Sequence, residues 1–134
     1  MIQSFNLPTH FLRRNGTGVI LDSQTDPRLD CQWQIVTGLA DTSGESNSFQ
    51  LVNRPGYYLI QSGNQLAVGR NDGTGAFKKK ATFKKVAGLA DAGGVSFQSF
   101  SSPELYIRHT QNNLQLDPIG SDAQKADATF KIVE

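Results

Sequence analysis

Two side chains in the last third of the sequence are of types suited to ligand recognition. His109 is one of only two histidines in the chain, and Asp127 follows it within the same third. An imidazole can both donate and accept hydrogen bonds and a carboxylate accepts them, so the pair would suit a ligand with several hydroxyl groups. A histidine in a loop is more often structural, however, and an aspartate often fixes a turn. The residue types alone leave both interpretations open.

Patterns that would indicate an enzyme are absent from the sequence. It shows no paired carboxylates at a defined cleft, no histidine and cysteine spacing for a metal, and no nucleophile elbow. The segment at 69–75 is rich in glycine, but we assign it to a hairpin loop rather than to a phosphate loop before a helix. Cys31 is the single cysteine and is predicted to be a buried structural thiol. We expect a protein that is not an enzyme and has no cofactor or bound metal.

Composition narrows the class of partner. The 134 residues carry 13 basic and 12 acidic side chains, a formal charge of +1 that is too balanced for binding a phosphate backbone. The lysines at 78–80, 84 and 85 form the only charge cluster, which we assign to a solvated face. No apolar run is long enough to span a bilayer, and residues 1–4 do not resemble a signal peptide. We expect a soluble monomer that binds neither nucleic acid nor membrane.

The sequence contains three copies of one pattern. Pro8, Pro55 and Pro103 are spaced by 47 and 48 residues, and each begins a matching run of apolar and polar positions. The connector VTGLAD after the first copy recurs as VAGLAD after the second. A repeat of this length predicts one unit of supersecondary structure per copy. We predict a single domain over residues 1–134, with repeats at approximately 1–41, 42–91 and 92–134.

The apolar residues of each copy alternate with a period of two, which is the signature of β-strands. A hairpin is not stable alone, so three copies of roughly four strands each must share one core. Ile2, Phe49 and Phe97 occupy matching positions and are predicted to face that core. These features predict an all-β protein with the β-trefoil fold. A propeller or a linear solenoid of three units is the weaker alternative.

Two polar positions differ between the copies, although the apolar positions are shared. The first position holds Arg14, Gln61 or His109, and the second holds Asp30, Lys80 or Asp127. The third copy contains the segments SFQSFSSPELYIRH and KADATFKIV, preceded by GLADAGGVSF. These motifs resemble the arabinose-binding AbfB domain, carbohydrate-binding module family 42, which is found attached to α-L-arabinofuranosidases. The resemblance extends over the whole chain and is strongest in the third copy.

The resemblance implies a β-trefoil that binds arabinofuranose side chains of arabinoxylan or arabinan, with at most one pocket per copy. A working pocket of this family is built from a histidine, an aspartate and a nearby aromatic ring, which match His109, Asp127 and Tyr106. The first copy keeps Asp30 but has Arg14 in place of the histidine, so its pocket is degraded or suits another sugar, such as an acidic one. The second copy matches at neither position, and we expect no arabinose pocket there. In the third copy, we expect the imidazole and the carboxylate to converge on one solvent-open hollow.

The sequence supports two functions of different classes. The first is a non-catalytic sugar-binding module, attached to or derived from a glycoside hydrolase, with its best pocket in the third copy and an arabinose-containing polysaccharide as partner. For this function we expect an extracellular protein whose signal peptide is absent from this chain. The second is a trefoil scaffold for protein interaction or inhibition, in which the sugar residues are vestigial. Loss of the motif from two of the three copies favours the second.

Overall fold

A computed structural model describes residues 1–26 and 28–133 of the chain. Pro27 and Glu134, which belong to the predicted domain, lie outside the described residues. The described chain consists mainly of short strands, which confirms the all-β prediction. The strands are β1 (Ile2–Ser4), β2 (Phe11–Asn15), β3 (Gly18–Asp22), β4 (Trp33–Thr37), β5 (Ser46–Leu51), β6 (Tyr57–Ser62), β7 (Gln65–Arg70), β8 (Phe83–Ala87), β9 (Val95–Ser99), β10 (Tyr106–Thr110), β11 (Asn113–Asp117) and β12 (Phe130–Ile132).

The strands are joined in one sheet with an approximate threefold repeat. Each repeat contributes one long hairpin, which is β2–β3, β6–β7 or β10–β11. The second strands of these hairpins, β3, β7 and β11, pair with one another and so close a ring. Strands at the boundaries of the repeats also pair, as β4–β5, β8–β9 and β12–β1. This architecture is the predicted β-trefoil. The propeller and solenoid alternatives are wrong, because the hairpins close on each other instead of forming separate blades or a line.

The core lies where the three repeats meet, and matching apolar side chains fill it. Ile2, Phe49 and Phe97 are at most 1% exposed, as predicted from their matching positions. The rings of Phe49 and Phe97 meet edge to face with centroids 5.1 Å apart, and the Phe130 ring lies 6.2 Å from that of Phe97. Aromatic pairs at these separations stabilise a core beyond the effect of burial alone. The shared core fixes the position of each hairpin relative to the other two.

A 3-10 turn or a short helix precedes the last strand of each repeat. These helices differ from the prediction, which gave strands and turns alone. They are the 3-10 turn Arg28–Cys31, α1 (Gly75–Lys80) and α2 (Asp122–Asp127). Thr74 caps α1 by accepting a hydrogen bond from the Phe77 amide. The glycine-rich segment at 69–75 therefore leads into a helix, which corrects its assignment to a hairpin loop. A helix of six residues, less than two turns, is too short to show a helical period in the sequence. None of the described helices is long and apolar enough to cross a membrane.

Buried hydroxyl groups hold the end of each helix against the preceding connector. Thr82 accepts a hydrogen bond from the Ala40 amide at 3.0 Å and donates one to the Lys78 carbonyl at 2.7 Å. Thr129 makes the same two bonds in the third repeat. The matching pairs show that the connector and the helix end form one unit that recurs. This unit fixes where the last turn of α2 lies.

Cys31 lies at the end of the 3-10 turn and is fully buried. Burial raises the pKa of its thiol above the ordinary value. The thiol is therefore protonated at neutral pH, and protonated thiols are poor nucleophiles. The prediction of a buried thiol is confirmed.

Candidate functional site

His109 and Asp127 lie next to each other in the third repeat. The hairpin β10–β11 carries His109, and the last turn of α2 carries Asp127. His109 Nε2 is 3.5 Å from Asp127 Oδ1. Burial alternates along β10, so the imidazole lies on the inward face of the strand. The structure thus brings together the two side chains that the sequence singles out.

Asn6, in the loop after β1, contacts both groups. Its Oδ1 lies 2.6 Å from His109 Nε2, and its Nδ2 donates a hydrogen bond of 2.8 Å to Asp127 Oδ1. The pairing of β1 with β12 brings the start of the chain to the third repeat. Sequence reasoning missed Asn6, because nothing in its own neighbourhood signals a contact with residues 121 positions away.

The imidazole lies below the surface of the site. His109 is 5% exposed, and its Nδ1 is 3.0 Å from the Gln111 carbonyl oxygen in the hairpin turn. Burial lowers the pKa of His109 and outweighs the Asp127 carboxylate and the Gln111 carbonyl, which raise it. The ring is therefore neutral at pH 7. The expectation of a solvent-open hollow is wrong for the imidazole, which is buried. The Asp127 side chain is 19% exposed and is the more accessible of the two groups.

Arg108 completes the site with a guanidinium group. Its Nη2 donates a hydrogen bond of 2.8 Å to Asp127 Oδ2, and its Nη1 lies 3.7 Å from Asp117 Oδ2. Hydrogen bonds between ionised groups are shorter and stronger than neutral ones, so Arg108 holds Asp127 firmly in place. One arginine faces two carboxylates, and the neutral His109 adds no charge. The cluster therefore carries one net negative charge.

The first repeat contains a related cluster with a second arginine. Arg13 lies 3.3 Å from Asp22 and 3.4 Å from Asp30, just as Arg108 lies between two aspartates in the third repeat. Arg14 Nη2 is 3.5 Å from Asp30 Oδ1, so the structure also brings together the two site residues predicted for this copy. Arginine and aspartate recur at matching positions of β2–β3 and β10–β11. That recurrence is the signal from which Arg108 could have been found.

The second repeat has an apolar cluster in place of the ionic one. The Lys80 amine lies 5.6 Å from the centroid of the Phe77 ring. Gln61 instead donates a hydrogen bond of 3.4 Å to the Ser102 hydroxyl. Ile60 holds the hairpin position that Arg13 and Arg108 hold in the other two repeats, and it is buried in one cluster with Phe77. The two polar residues therefore contact different partners and form no shared polar site.

Tyr106 lies at the start of β10, on the face of the strand that also carries Arg108. His109 lies on the opposite face. The Tyr106 side chain is partly buried, and its cross-strand neighbour is Asp117. A role for this ring as a sugar platform stays a prediction.

Two surface cavities lie away from this cluster. A cavity of about 340 Å³ lies between the ends of the three hairpins and is lined by Gly18, Gln65 and Asn113 among others. A second, of about 280 Å³, lies beside Phe100 and Pro103. Neither is lined by the histidine or the aspartate of the candidate site. Within the described ranges, no three histidine, cysteine, aspartate or glutamate side chains are grouped as a metal ion would require.

The chain is similar to part of several arabinofuranosidases. It is 33% identical over 113 residues to Alpha-L-arabinofuranosidase B of Emericella nidulans, covering 79% of this chain and 22% of that protein. It is 37% identical over 128 residues to Extracellular exo-alpha-(1->5)-L-arabinofuranosidase of Streptomyces avermitilis, covering 95% of this chain and 26% of that protein. The chain thus spans about a quarter of the length of these relatives.

Solved structures and a family model agree with this similarity. An arabinofuranosidase crystallised with arabinofuranosyl-alpha-1,2-xylobiose superposes with a TM-score of 0.83 at 27% identity, over 97% of this chain and 29% of that one. A protein described as BEL beta-trefoil superposes with a TM-score of 0.74 at 12% identity, over 97% of this chain and 88% of that one, which supports the fold alone. The model of the Alpha-L-arabinofuranosidase B (ABFB) domain matches residues 1–132. The chain therefore belongs to the AbfB domain family.

Proposed function

We propose that this chain is a non-catalytic carbohydrate-binding module that recognises arabinofuranose side chains of arabinoxylan or arabinan. The third repeat holds its principal pocket. The observation that carries the proposal is the distance of 3.5 Å between His109 Nε2 and Asp127 Oδ1. The chain belongs to a domain family named after alpha-L-arabinofuranosidase B. The first and second repeats lack this pair, and in the second Gln61 contacts the Ser99 and Ser102 hydroxyls instead of Lys80.

The chemistry of the third repeat suits a sugar with adjacent hydroxyl groups. Asp127 is an acceptor held by Arg108, and its carboxylate remains partly exposed. The Asn6 side chain offers both a donor and an acceptor beside His109 Nε2. A neutral imidazole donates through one nitrogen only, whereas both of its nitrogens face carbonyl-type oxygens here. A sugar hydroxyl that replaced Asn6 at Nε2 could donate to the ring and accept from the Asn6 amide.

The partner we propose is an insoluble or long polymer rather than a free sugar. A single small pocket binds weakly, and attachment to a polymer with many side chains raises the effective concentration of ligand. Because the chain spans about a quarter of its relatives' length, its role fits substrate targeting for a larger glycoside hydrolase. We propose an extracellular location, since a relative from Streptomyces avermitilis is named as an extracellular enzyme.

Substitution of the two central residues tests the proposal. We expect His109→Ala and Asp127→Asn each to weaken retention on arabinoxylan in affinity electrophoresis by about tenfold or more. The first removes a hydrogen bond between the sugar and a buried imidazole, and the second weakens one to a charged carboxylate. Lys80→Ala is the matched control at the corresponding position of the second repeat, and its retention should equal that of the wild type. Thermal unfolding of each variant establishes that it is folded.

Unchanged retention of both folded variants would exclude the third repeat as the principal pocket. If His109→Ala does not fold, Asp127→Asn still decides the matter, because its side chain has the same shape and keeps one acceptor. Loss of retention in Lys80→Ala would instead place the binding surface in the second repeat.

A protein-interaction or inhibitor scaffold is the second candidate, and the second repeat favours it. There Ile60, Phe77 and Ala81 form an apolar cluster where the other repeats have an ionic one. The paired sugar-binding residues are thereby lost from this repeat, as expected of a scaffold whose sugar sites are vestigial. Competition separates the two functions, since free arabinose should displace a sugar-binding module from arabinoxylan. A scaffold with vestigial pockets should show no binding to displace.

A further inference from the structure

We propose that the first repeat holds a second binding site, centred on Arg14, for the carboxylate of a sugar acid. The site lies at the end of the β2–β3 hairpin and contains Arg13, Arg14, Asp22 and Asp30. It matches the candidate site of the third repeat position by position, except that an arginine replaces the histidine. The proposal concerns a different ligand and a different repeat, so it does not depend on arabinose binding in the third repeat.

The two clusters differ by one unit of charge. In the third repeat one arginine faces two aspartates beside a neutral imidazole. In the first repeat Arg13 takes both Asp22 and Asp30, at 3.3 and 3.4 Å, and Arg14 adds a second positive charge. The charges of the first repeat therefore balance. With a ligand carboxylate bound, the first-repeat cluster would carry one net negative charge. That is the same net charge as the third-repeat cluster carries without a ligand.

Arg14 makes only long contacts and keeps unused donors. Its Nη2 is 3.5 Å from Asp30 Oδ1, and its Nη1 donates to the Gly16 carbonyl at 3.3 Å. Its Nε is buried and has no hydrogen-bond partner among the described residues. A buried donor without a partner is costly, because it has lost its water and gained nothing in return. A ligand carboxylate can meet the two Nη groups end on, with two parallel hydrogen bonds that replace their long contacts to Asp30 and Gly16.

The first-repeat site is also more open than that of the third repeat. The Arg14 side chain is 22% exposed, whereas that of His109 is 6% exposed. Asn6 bridges the third-repeat site, but Asn53, at the corresponding place in the loop after β5, is exposed to solvent. A ligand carboxylate would therefore reach the guanidinium without displacing a side-chain amide.

Two exposed aliphatic side chains belong to the backbone segments next to Asp30 and suit the ring of a sugar. Leu29 is 44% exposed and directly precedes Asp30, and Val52 is 46% exposed. Gln32 joins their backbones, since its amide donates to the Leu29 carbonyl and its carbonyl accepts from the Val52 amide, both at 3.4 Å. Exposed apolar groups beside a charged one match a ligand with an apolar C–H face and one carboxylate. A uronic acid has both features, whereas a simple anion has only the charge.

Titration of the 134-residue chain by amide NMR tests this site. The ligands are glucuronate, glucose as its neutral counterpart, and acetate as a simple carboxylate. We expect glucuronate to shift the amides of Arg14, Gly16 and Asp30, with glucose and acetate each bound at least about tenfold more weakly. Arg14→Gln should lose that tenfold preference for glucuronate over glucose, and raising the salt concentration should weaken glucuronate binding to the wild type.

Two further variants make the result specific. Arg14→Lys keeps the charge but loses the planar fork, so we expect its affinity for glucuronate to lie between those of the wild type and Arg14→Gln. Asp127→Asn disables the proposed arabinose site and should leave glucuronate binding unchanged. If glucuronate binds while arabinose does not, the inference holds and the proposed function fails. If arabinose binds while glucuronate does not, the proposed function holds and the inference fails.

Three results would overturn the inference. Equal affinity for glucose and glucuronate would show that charge is not recognised. Equal affinity for acetate would reduce the site to a general anion site. Undiminished glucuronate binding by folded Arg14→Gln would place the ligand elsewhere on the chain.

Discussion

At the scale of single residues, His109 makes a structural contact with one ring nitrogen and faces the proposed ligand site with the other. Its Nδ1 faces the carbonyl oxygen of Gln111, whose φ of 55° is unusual for a residue other than glycine. This contact supports the turn between β10 and β11, as the structural interpretation of a loop histidine requires. Nε2 faces the opposite way, toward Asn6 and Asp127. The two interpretations that the sequence left open are therefore compatible, because each uses a different nitrogen.

The burial of His109 predicts how stability depends on pH. Its pKa is lowered in the folded state from the ordinary value of 6.5, so below that pH the unfolded chain binds more protons than the folded one. The contribution of His109 to the free energy of unfolding should therefore have its full value above about pH 6.5. It should fall as the pH drops below that value and become constant once the pH lies under the folded pKa. Urea unfolding between pH 8 and pH 5 measures this slope.

His109→Gln is the matched control for the pH dependence. It lacks the buried imidazole and keeps every other ionisable side chain, so the comparison isolates the effect of His109. The variant should show a flatter profile between about pH 6.5 and pH 5. Equal slopes for the two proteins would contradict the lowered pKa.

Only part of the candidate site could be predicted from the sequence. His109, Asp127, Asp30 and Arg14 stand at positions that vary while the apolar pattern does not, and this contrast makes them visible. Asn6 reaches the site only because the chain ends meet, which no local pattern records. Arg108 was overlooked because a charged residue on a strand normally indicates an exposed face.

At the scale of elements, α2 is what positions the carboxylate. Asp127 is its last residue, and the helix begins with a capping box in which Ser121 and Gln124 satisfy each other's backbone amides. A helix this short gains little from its own propensity and depends on its caps and its packing. The position of Asp127 relative to His109 therefore depends on the cap of the first turn as well as on the Thr129 bonds at the end of the helix.

Removal of the cap should weaken both stability and binding. Ser121→Ala removes the acceptor for the Gln124 amide, so we expect the free energy of unfolding to fall by about 1 kcal/mol. Because the loosened helix carries Asp127, retention on arabinoxylan should fall as well. Chemical denaturation and affinity electrophoresis measure the two effects.

Thr74→Ala provides the comparison, since Thr74 caps α1 in the second repeat through the Phe77 amide. The loss of stability should be similar, about 1 kcal/mol, and retention should not change. Equal losses of retention in the two variants would show that binding follows overall stability and not the position of α2.

The strands could be predicted from the sequence, whereas the helices could not. Period-two alternation is visible in β10 and β11, where Ile107, Leu114 and Leu116 are buried beside more exposed neighbours. The six residues of α2 give no helical period, and its only readable signal is serine followed three positions later by glutamine. The tertiary contacts of Thr129 and the capping box supply what the local pattern does not show.

At the scale of the whole molecule, one threefold framework carries three different pairs of side chains at matching positions. The shared core keeps the hairpins and the helix ends at the same places, so each repeat brings the same two positions close to each other. Those positions hold a histidine and an aspartate, an arginine and an aspartate, or a glutamine and a lysine. The fold was predictable because the core positions repeat, and the sites were partly predictable because the polar positions do not. The third-repeat site also needs the chain ends to pair, since Asn6 belongs to the first repeat.

The most direct test of the central claim is a crystal structure of this chain with a short arabino-oligosaccharide. The three repeats then report independently within one experiment. We predict an arabinofuranose in the third repeat, with its hydroxyl groups on Asp127 and on Nε2 of His109, and none between Gln61 and Lys80. A sugar bound in the second repeat, or a third repeat left empty while arabinose occupies another surface, would contradict the account.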